Sequence, residues 1–213
     1  MSTQLIEALA AGDASARLRA ALAAGTYPDA GLVGVLVERS AIEPDFSVRE
    51  MLTWALTRLP AELTVPVLRA QLGSDRPQAR SQSLHTLSKI GDTSAWPSVT
   101  RSLLHDPDNE VARTAWRAAV VLVPAGSEEA LAADLVAQLG RGDRDVRLSL
   151  SRALVDLGDA ARPVVEAALT HPDPDVRAHA RATENLLDDP DASFDLAVDQ
   201  ARRVVALGPD RTG

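Results

Sequence analysis

Apolar residues return along this chain on a helical beat, and the whole pattern restarts about every thirty residues. Clear copies stand at 44–59 (PDFSVREMLTWALTRL), 77–92 (PQARSQSLHTLSKIGD), 142–159 (GDRDVRLSLSRALVDLGD) and 172–187 (PDPDVRAHARATENLL), with a weaker one at 107–122 (PDNEVARTAWRAAVVL). Aligned on one slot, Val48, Ala79, Val111, Val146 and Val176 are separated by 31, 32, 35 and 30 residues. Counting that slot as zero, small or apolar residues recur at 0, 4, 7, 8 and 11, as in Val48, Leu52, Ala55, Leu56 and Leu59. The period is that of a helix with one face turned to a core. A single helix pair cannot bury such a face, so a fixed repeat of this length predicts stacking on neighbours. The expected fold is an all-α right-handed α-solenoid (superhelix) of about five helix pairs, with capping helices at both ends.

The polar punctuation agrees. Asp45, Asp108, Asp143 and Asp173 stand three residues before the aligned slot. There a carboxylate can accept the free N–H groups of a helix start. Gly91 and Gly158, each followed by Asp, fit a helix end in the left-handed conformation. First helices are expected near 62–72, 94–104, 127–139 and 160–170, with Pro66, Pro97 and Pro163 close to their starts. Residues 1–28 read as N-terminal capping helices and 29–190 as the repeat array, whose opening helix is 29–42. Residues 191–213 read as a C-terminal capping helix and frayed tail; Phe194, Ala197, Val198, Ala201, Val204 and Val205 share one face there.

Composition narrows the classes. The chain is 46% apolar but only 3% aromatic, a mix for closely packed helices rather than strands. No segment approaches the length of a membrane helix, and the N-terminus has no basic stretch before an apolar one. The absence of cysteine excludes disulfides and thiolate metal sites and fits a cytoplasmic protein. A formal charge of −8 argues against coating nucleic acid, which relies on Lys and Arg neutralising phosphates.

The run Val-Arg, small residues, Leu, Ile-Gly-Asp and then Ala-x-Pro is nearly intact in 79–104 (ARSQSLHTLSKIGDTSAWPSVTRSLL) and recurs in 146–169. It resembles the HEAT-like repeats named after the phycobilisome lyases, over about residues 44–187. Segments 51–60 and 80–97 also look like small bacterial HEAT-repeat proteins of high-GC organisms. The ankyrin and tetratricopeptide signatures are absent. Two departures stand out: Ala112 replaces the repeat Arg, and 123–129 (VPAGSEE) replaces the Gly-Asp turn. The resemblance implies an armadillo-like scaffold whose second helices line a concave surface, and it carries no defined activity.

On those second helices the outward slots collect Trp54, Arg58, His85, Lys89, Arg113, Arg117 and Arg152, with Glu50 and Asp156 among them. Either Trp54 packs on a neighbouring helix and the cations are solvated, or the stripe is a groove for an acidic partner segment. Trp and Arg are common interface anchors because they bury much area with few rotamers. The expected role is therefore non-catalytic: a protein–protein interaction scaffold or adaptor. Arg49, Arg80, Arg147 and Arg177 occupy one position in successive repeats and read as a structural Asp–Arg ladder between repeats. Trp96 and Trp116 read as core.

Signals for catalysis are poor. None of His85, His105, His171 and His179 neighbours a Glu or pairs at a three- or four-residue spacing, as a helical metal site needs. The HEAT-repeat di-iron hydroxylases use repeated His-Glu pairs, and none occurs here. There is no phosphate-binding glycine loop and no nucleophile elbow. No catalytic residue, metal or cofactor is expected. A bilin lyase activity would rest on fold analogy alone. The alternative enzyme is a HEAT-like alkylpurine DNA glycosylase, in which Trp54, Arg117, Arg152 and Asp156 would supply the aromatic, cationic and acidic groups.

Overall fold

The computed structural model describes residues 2–189, which fall into two compact units, one ending at Leu122 and the other beginning at Val123. The expected C-terminal cap lies outside the described residues. Among those described there are helices and turns and no strand. The first unit contains α1 (Ser2–Leu9), α2 (Ala14–Thr26), α3 (Val33–Ser40), α4 (Phe46–Thr57), α5 (Ala61–Gln71), α6 (Pro77–Ile90), α7 (Arg101–Leu104) and α8 (Asn109–Leu122). The second contains α9 (Glu128–Val136), α10 (Arg144–Asp156), α11 (Arg162–Ala168) and α12 (Pro174–Asp188).

Helices α2, α4, α6 and α8 stack in chain order, each backed by the helix before it. In the second unit α10 packs on α12 in the same way. In the first clear copy the slots foreseen as core are core, Val48, Leu52, Ala55 and Leu56 being fully buried, whereas Val176, Leu157 and Leu187 in the later copies are only partly buried. Trp116 is also fully buried, and its Nε1–H donates to the Leu104 carbonyl at 2.8 Å. Trp96 is half-buried.

The acids at the helix starts do what their position implies. Asp45 accepts the N–H of Val48 at 3.0 Å, and Asp108 accepts those of Glu110 and Val111. Asp143 caps Val146 at 3.0 Å, and Asp173 caps Asp175 at 2.8 Å. Gly91 ends α6 at φ +71°, a conformation that costs a residue with a Cβ. The N-terminal pair repeats the same grammar: Asp13 caps Ala16 at 2.9 Å, and Arg17 follows. Ala16 lies 32 residues before Val48, so α1 and α2 carry the repeat's own features.

Two first helices differ from expectation. The segment expected as one helix over 94–104 is a 3-10 turn, Thr93–Ser98, followed by the short α7. Pro97 lies inside the turn, and Val99 and Thr100 leave helical geometry. A missing N–H and two β-branched residues together break the run. Pro66 stands inside α5, which begins at Ala61, not near its start. Pro66 itself is exposed.

Candidate functional site: a polar groove on the first unit

The Arg series closes loops. Arg49 donates to the carbonyls of Glu43 (3.0 Å) and Pro44 (2.8 Å), and Arg177 to those of His171 (2.7 Å) and Pro172 (2.8 Å). Arg80 reaches the Ser74 carbonyl at 2.8 Å, and Arg147 those of Gly140 (2.9 Å) and Gly142 (3.2 Å). Carboxylate pairing is less regular. Arg80 forms a two-pronged pair with Asp106 at 2.9 and 3.0 Å, whereas Arg147 stands 3.8 Å from an exposed Asp175.

The strongest such pair belongs to Arg17, which was not among the arginines singled out. It grips both oxygens of the fully buried Glu43 at 2.7 Å, and Arg39 adds a third contact at 2.8 Å. Burial would raise the Glu43 carboxyl, but Arg17, the Asp45 N–H and Arg39 outweigh it and hold it at about 2. The signal was present in the sequence: Glu43 and Asp106 both precede an aligned Val by five residues. Each also accepts the N–H two residues on, at 2.9 Å.

Above these loops, α4, α6 and α8 form a groove of about 710 Å³. Glu50 comes from α4, Gln82 and His85 from α6, and Glu110, Thr114 and Arg117 from α8; Phe46 is two-thirds exposed at the rim. The Arg49 guanidinium lies 5.8 Å above the Phe46 ring, within range of a cation–π contact.

The groove's interior is incompletely paired. Gln82 Oε1, His85 Nε2 and, on α8, Arg113 Nε are cut off from solvent without a hydrogen bond. His85 Nε2 is 3.3 Å from Glu50 Oε1, an electrostatic approach without hydrogen-bond alignment. Burial lowers the His85 imidazole from its ordinary value; Glu50 opposes this, while Lys89 and Arg117 reinforce it. Arg117 is itself lowered by burial, although half its side chain is exposed. Glu110 approaches it at 3.9 Å, and it donates to the Thr114 hydroxyl at 3.2 Å.

Of the stripe foreseen from sequence, His85 and Arg117 line this groove, and Arg113 stands beside it, 3.4 Å from Glu110. Arg58, just past the end of α4, and Lys89, on α6, are exposed without lining it. Trp54 packs over Gly25, where an added methyl would overlap its ring, and it is 39% exposed along the other edge. Arg152 belongs to the second unit, exposed on α10. The acids Glu50, Asp108 and Glu110 make the groove mixed in charge rather than uniformly basic.

Sequence reasoning also passed over His179 in the second unit. It is 2% exposed, and its two ring nitrogens bond to Gly140, Arg147 and Ser151. Among the described residues no group of three or more His, Asp or Glu is disposed to hold a metal ion, and no helix is long and apolar enough to cross a membrane.

Comparison with known proteins places the repeat. A family model for HEAT repeats matches residues 35–120, a span holding α4 to α6 and nearly all of α8. No curated protein matches the chain. Similar solved structures include an engineered protein, 21% identical with a TM-score of 0.48, covering 93% of this chain and 96% of its own. A second engineered protein is 22% identical with a TM-score of 0.46, covering 97% of this chain and 68% of its own. The complex of CpcE and CpcF of phycocyanin lyase from Nostoc sp. PCC7120 is 17% identical with a TM-score of 0.39, covering 96% of this chain and 94% of its own.

Proposed function

We propose that this protein is a non-catalytic interaction scaffold, and that the groove on α4, α6 and α8 takes an extended segment of a partner protein bearing a carboxylate. The observation that carries this is the gathering of Gln82 Oε1 and Arg113 Nε, buried without a hydrogen bond, beside His85, whose Nε2 has Glu50 at 3.3 Å, and a half-exposed Arg117. A buried polar atom left unpaired costs about 1–3 kcal/mol. A partner whose peptide groups and carboxylate meet these atoms, while the half-exposed Glu50 swings aside, relieves that cost. The helices already hold the groove open, so little ordering is required on this side of the complex.

The partner's acid would meet Arg117 and His85, its backbone the amide of Gln82, and an apolar residue the exposed Phe46. Specificity would come from the neighbouring Glu50, Asp108 and Glu110, which repel a segment that is acidic throughout. The same carboxylates oppose a phosphate backbone, and Trp54 is already seated on Gly25, so the DNA glycosylase alternative gains no support from this site. The lack of cysteine is consistent with work in a reducing cytoplasm.

The test is capture from lysate at low and raised salt with wild-type protein and Arg117→Glu. The reading expects a partner that is held by the wild type, weakened by salt and lost with the reversed charge. A partner retained equally by both proteins would exclude the groove.

A further inference from the structure

In the second unit, His179 sits where α12 packs on α10, with both ring nitrogens committed. Nδ1 lies 3.0 Å from the Gly140 amide nitrogen. A backbone N–H can only donate, so Nδ1 accepts and carries no proton. The ring proton is therefore on Nε2, which faces the Arg147 carbonyl and the Ser151 hydroxyl, each at 3.0 Å. Arg147 completes a closed circuit, because its guanidinium donates back to the Gly140 carbonyl at 2.9 Å. The 140–142 loop is thus held at an N–H by His179 and at its carbonyls by Arg147. The fit is close: at Gly140, φ +83°, an added Cβ would come within 3.2 Å of Val176.

A second proton has no place in this circuit. It would turn Nδ1 into a donor facing the Gly140 N–H, and donor against donor makes no bond. From this arrangement we propose that His179 is an acid-sensitive latch: protonation at Nδ1 breaks the Gly140 bond, frees the 140–142 loop and loosens α12 from α10.

Among the described residues, the charge nearest the ring favours its neutral form. Arg147 on α10 presents a cation to it, with Asp175 3.8 Å from that guanidinium. In the loop, Arg141 is hydrogen-bonded to Gln138. On α11, which also packs on α12, Arg162 is bound to Asp188 and the Leu187 carbonyl near the far end of α12, and Glu166 is exposed. Burial pushes the imidazole down to about 4; the Arg147 carbonyl bond opposes this and the Arg147 charge adds to it. The unfolded chain takes up the proton near 6.5 and the folded one only near 4. Stability from this site is therefore complete above about pH 6.5 and is lost as pH falls towards 4.

Two readouts on the full chain test the latch. Imidazole ¹⁵N spectra are expected to give the Nε2–H tautomer for His179 at neutral pH, with titration only below about pH 5. Hydrogen-exchange protection of the Gly140 amide, corrected for its intrinsic rate, is expected to fall about twentyfold between pH 7 and 5. His179→Asn keeps an acceptor but cannot titrate, and is expected to remove most of that fall. An Nδ1–H tautomer, titration near 6.5 in the folded protein, or a His179→Asn variant with the wild-type pH dependence would overturn the proposal. If that variant does not fold, the wild-type spectra decide alone.

Discussion

His85 and His179 stand on equivalent second helices, in different units, and they part company in their hydrogen bonds. His179 is sealed: its ring nitrogens are bonded to Gly140, Arg147 and Ser151, and Ser151 is bonded in turn to Thr183 at 2.8 Å. His85 keeps 21% of its side chain exposed, with Nε2 3.3 Å from Glu50 and within the field of Lys89 and Arg117. The sealed cluster has nothing left to offer a ligand, and its chemistry is turned inward to a loop. The groove cluster holds polar atoms that only a further molecule or a side-chain rearrangement can satisfy. Polar residues at a repeat's core edge are thus structural or available according to whether their partners are complete.

Removing each ring is the largest test of this contrast. His179→Ala leaves the Gly140 N–H and the Arg147 carbonyl without their partner and opens a void, so a loss of about 3 kcal/mol in urea unfolding is expected. His85→Ala takes away, at Nε2, only a 3.3 Å approach to the half-exposed Glu50 and is expected to stay within about 1 kcal/mol of wild type. Equal losses would erase the distinction.

Acid sharpens it next. With His179 held near 4 in the fold and 6.5 outside it, moving from pH 7 to 5 is expected to remove about 2 kcal/mol from the second unit. Glu43 in the first unit works in another window. Its carboxyl is at about 2 in the fold against 4.5 outside, so its contribution is present above about 4.5 and is lost as pH falls through 2. His85 is also lowered in the first unit and acts below about 6.5, so the windows are compared in a His85→Gln background. Unfolding followed by signals from each unit then separates them; a His85→Gln first unit that weakens by pH 5.5 would contradict this assignment.

The arginine series gives a smaller difference. Arg80→Ala breaks a two-pronged pair with the buried Asp106, for an expected loss of about 2 kcal/mol. Arg147→Ala breaks loop hydrogen bonds and a long pair with an exposed acid, for about 1 kcal/mol. Matched thermal melts check the order. The smallest effect on stability belongs to Arg117→Glu, within about 0.5 kcal/mol of wild type because the side chain is half-exposed.

Much of the fold could be read in advance where one residue decides one local feature. Asp45, Asp108, Asp143 and Asp173 announce helix starts, Gly91 an end, and Val48 through Leu56 a core face. The break at Pro97 and the interior place of Pro66 escaped because a proline's position relative to a helix start depends on where that start falls. Arg17 was hidden by its setting: Ala16 fills the slot as Ala79 does, but no earlier copy precedes it and residues 1–28 read as a cap. Of the candidate site, the outward slots located Glu50, His85 and Arg117 but gave no account of Asp108 and Glu110 as groove walls. Those side chains meet only when three helices stack, and the repeat pattern fixes slots within one helix at a time.

The most direct measurement of the central claim is site-specific photo-crosslinking in lysate. A benzophenone side chain replaces Gln82 in the groove or, as the contrast, Glu166, exposed on α11 of the second unit. The account predicts a discrete protein adduct from position 82 that disappears when Arg117→Glu is added, and none of that mass from position 166. The same adduct from position 166, or one at position 82 that survives the charge reversal, would contradict it.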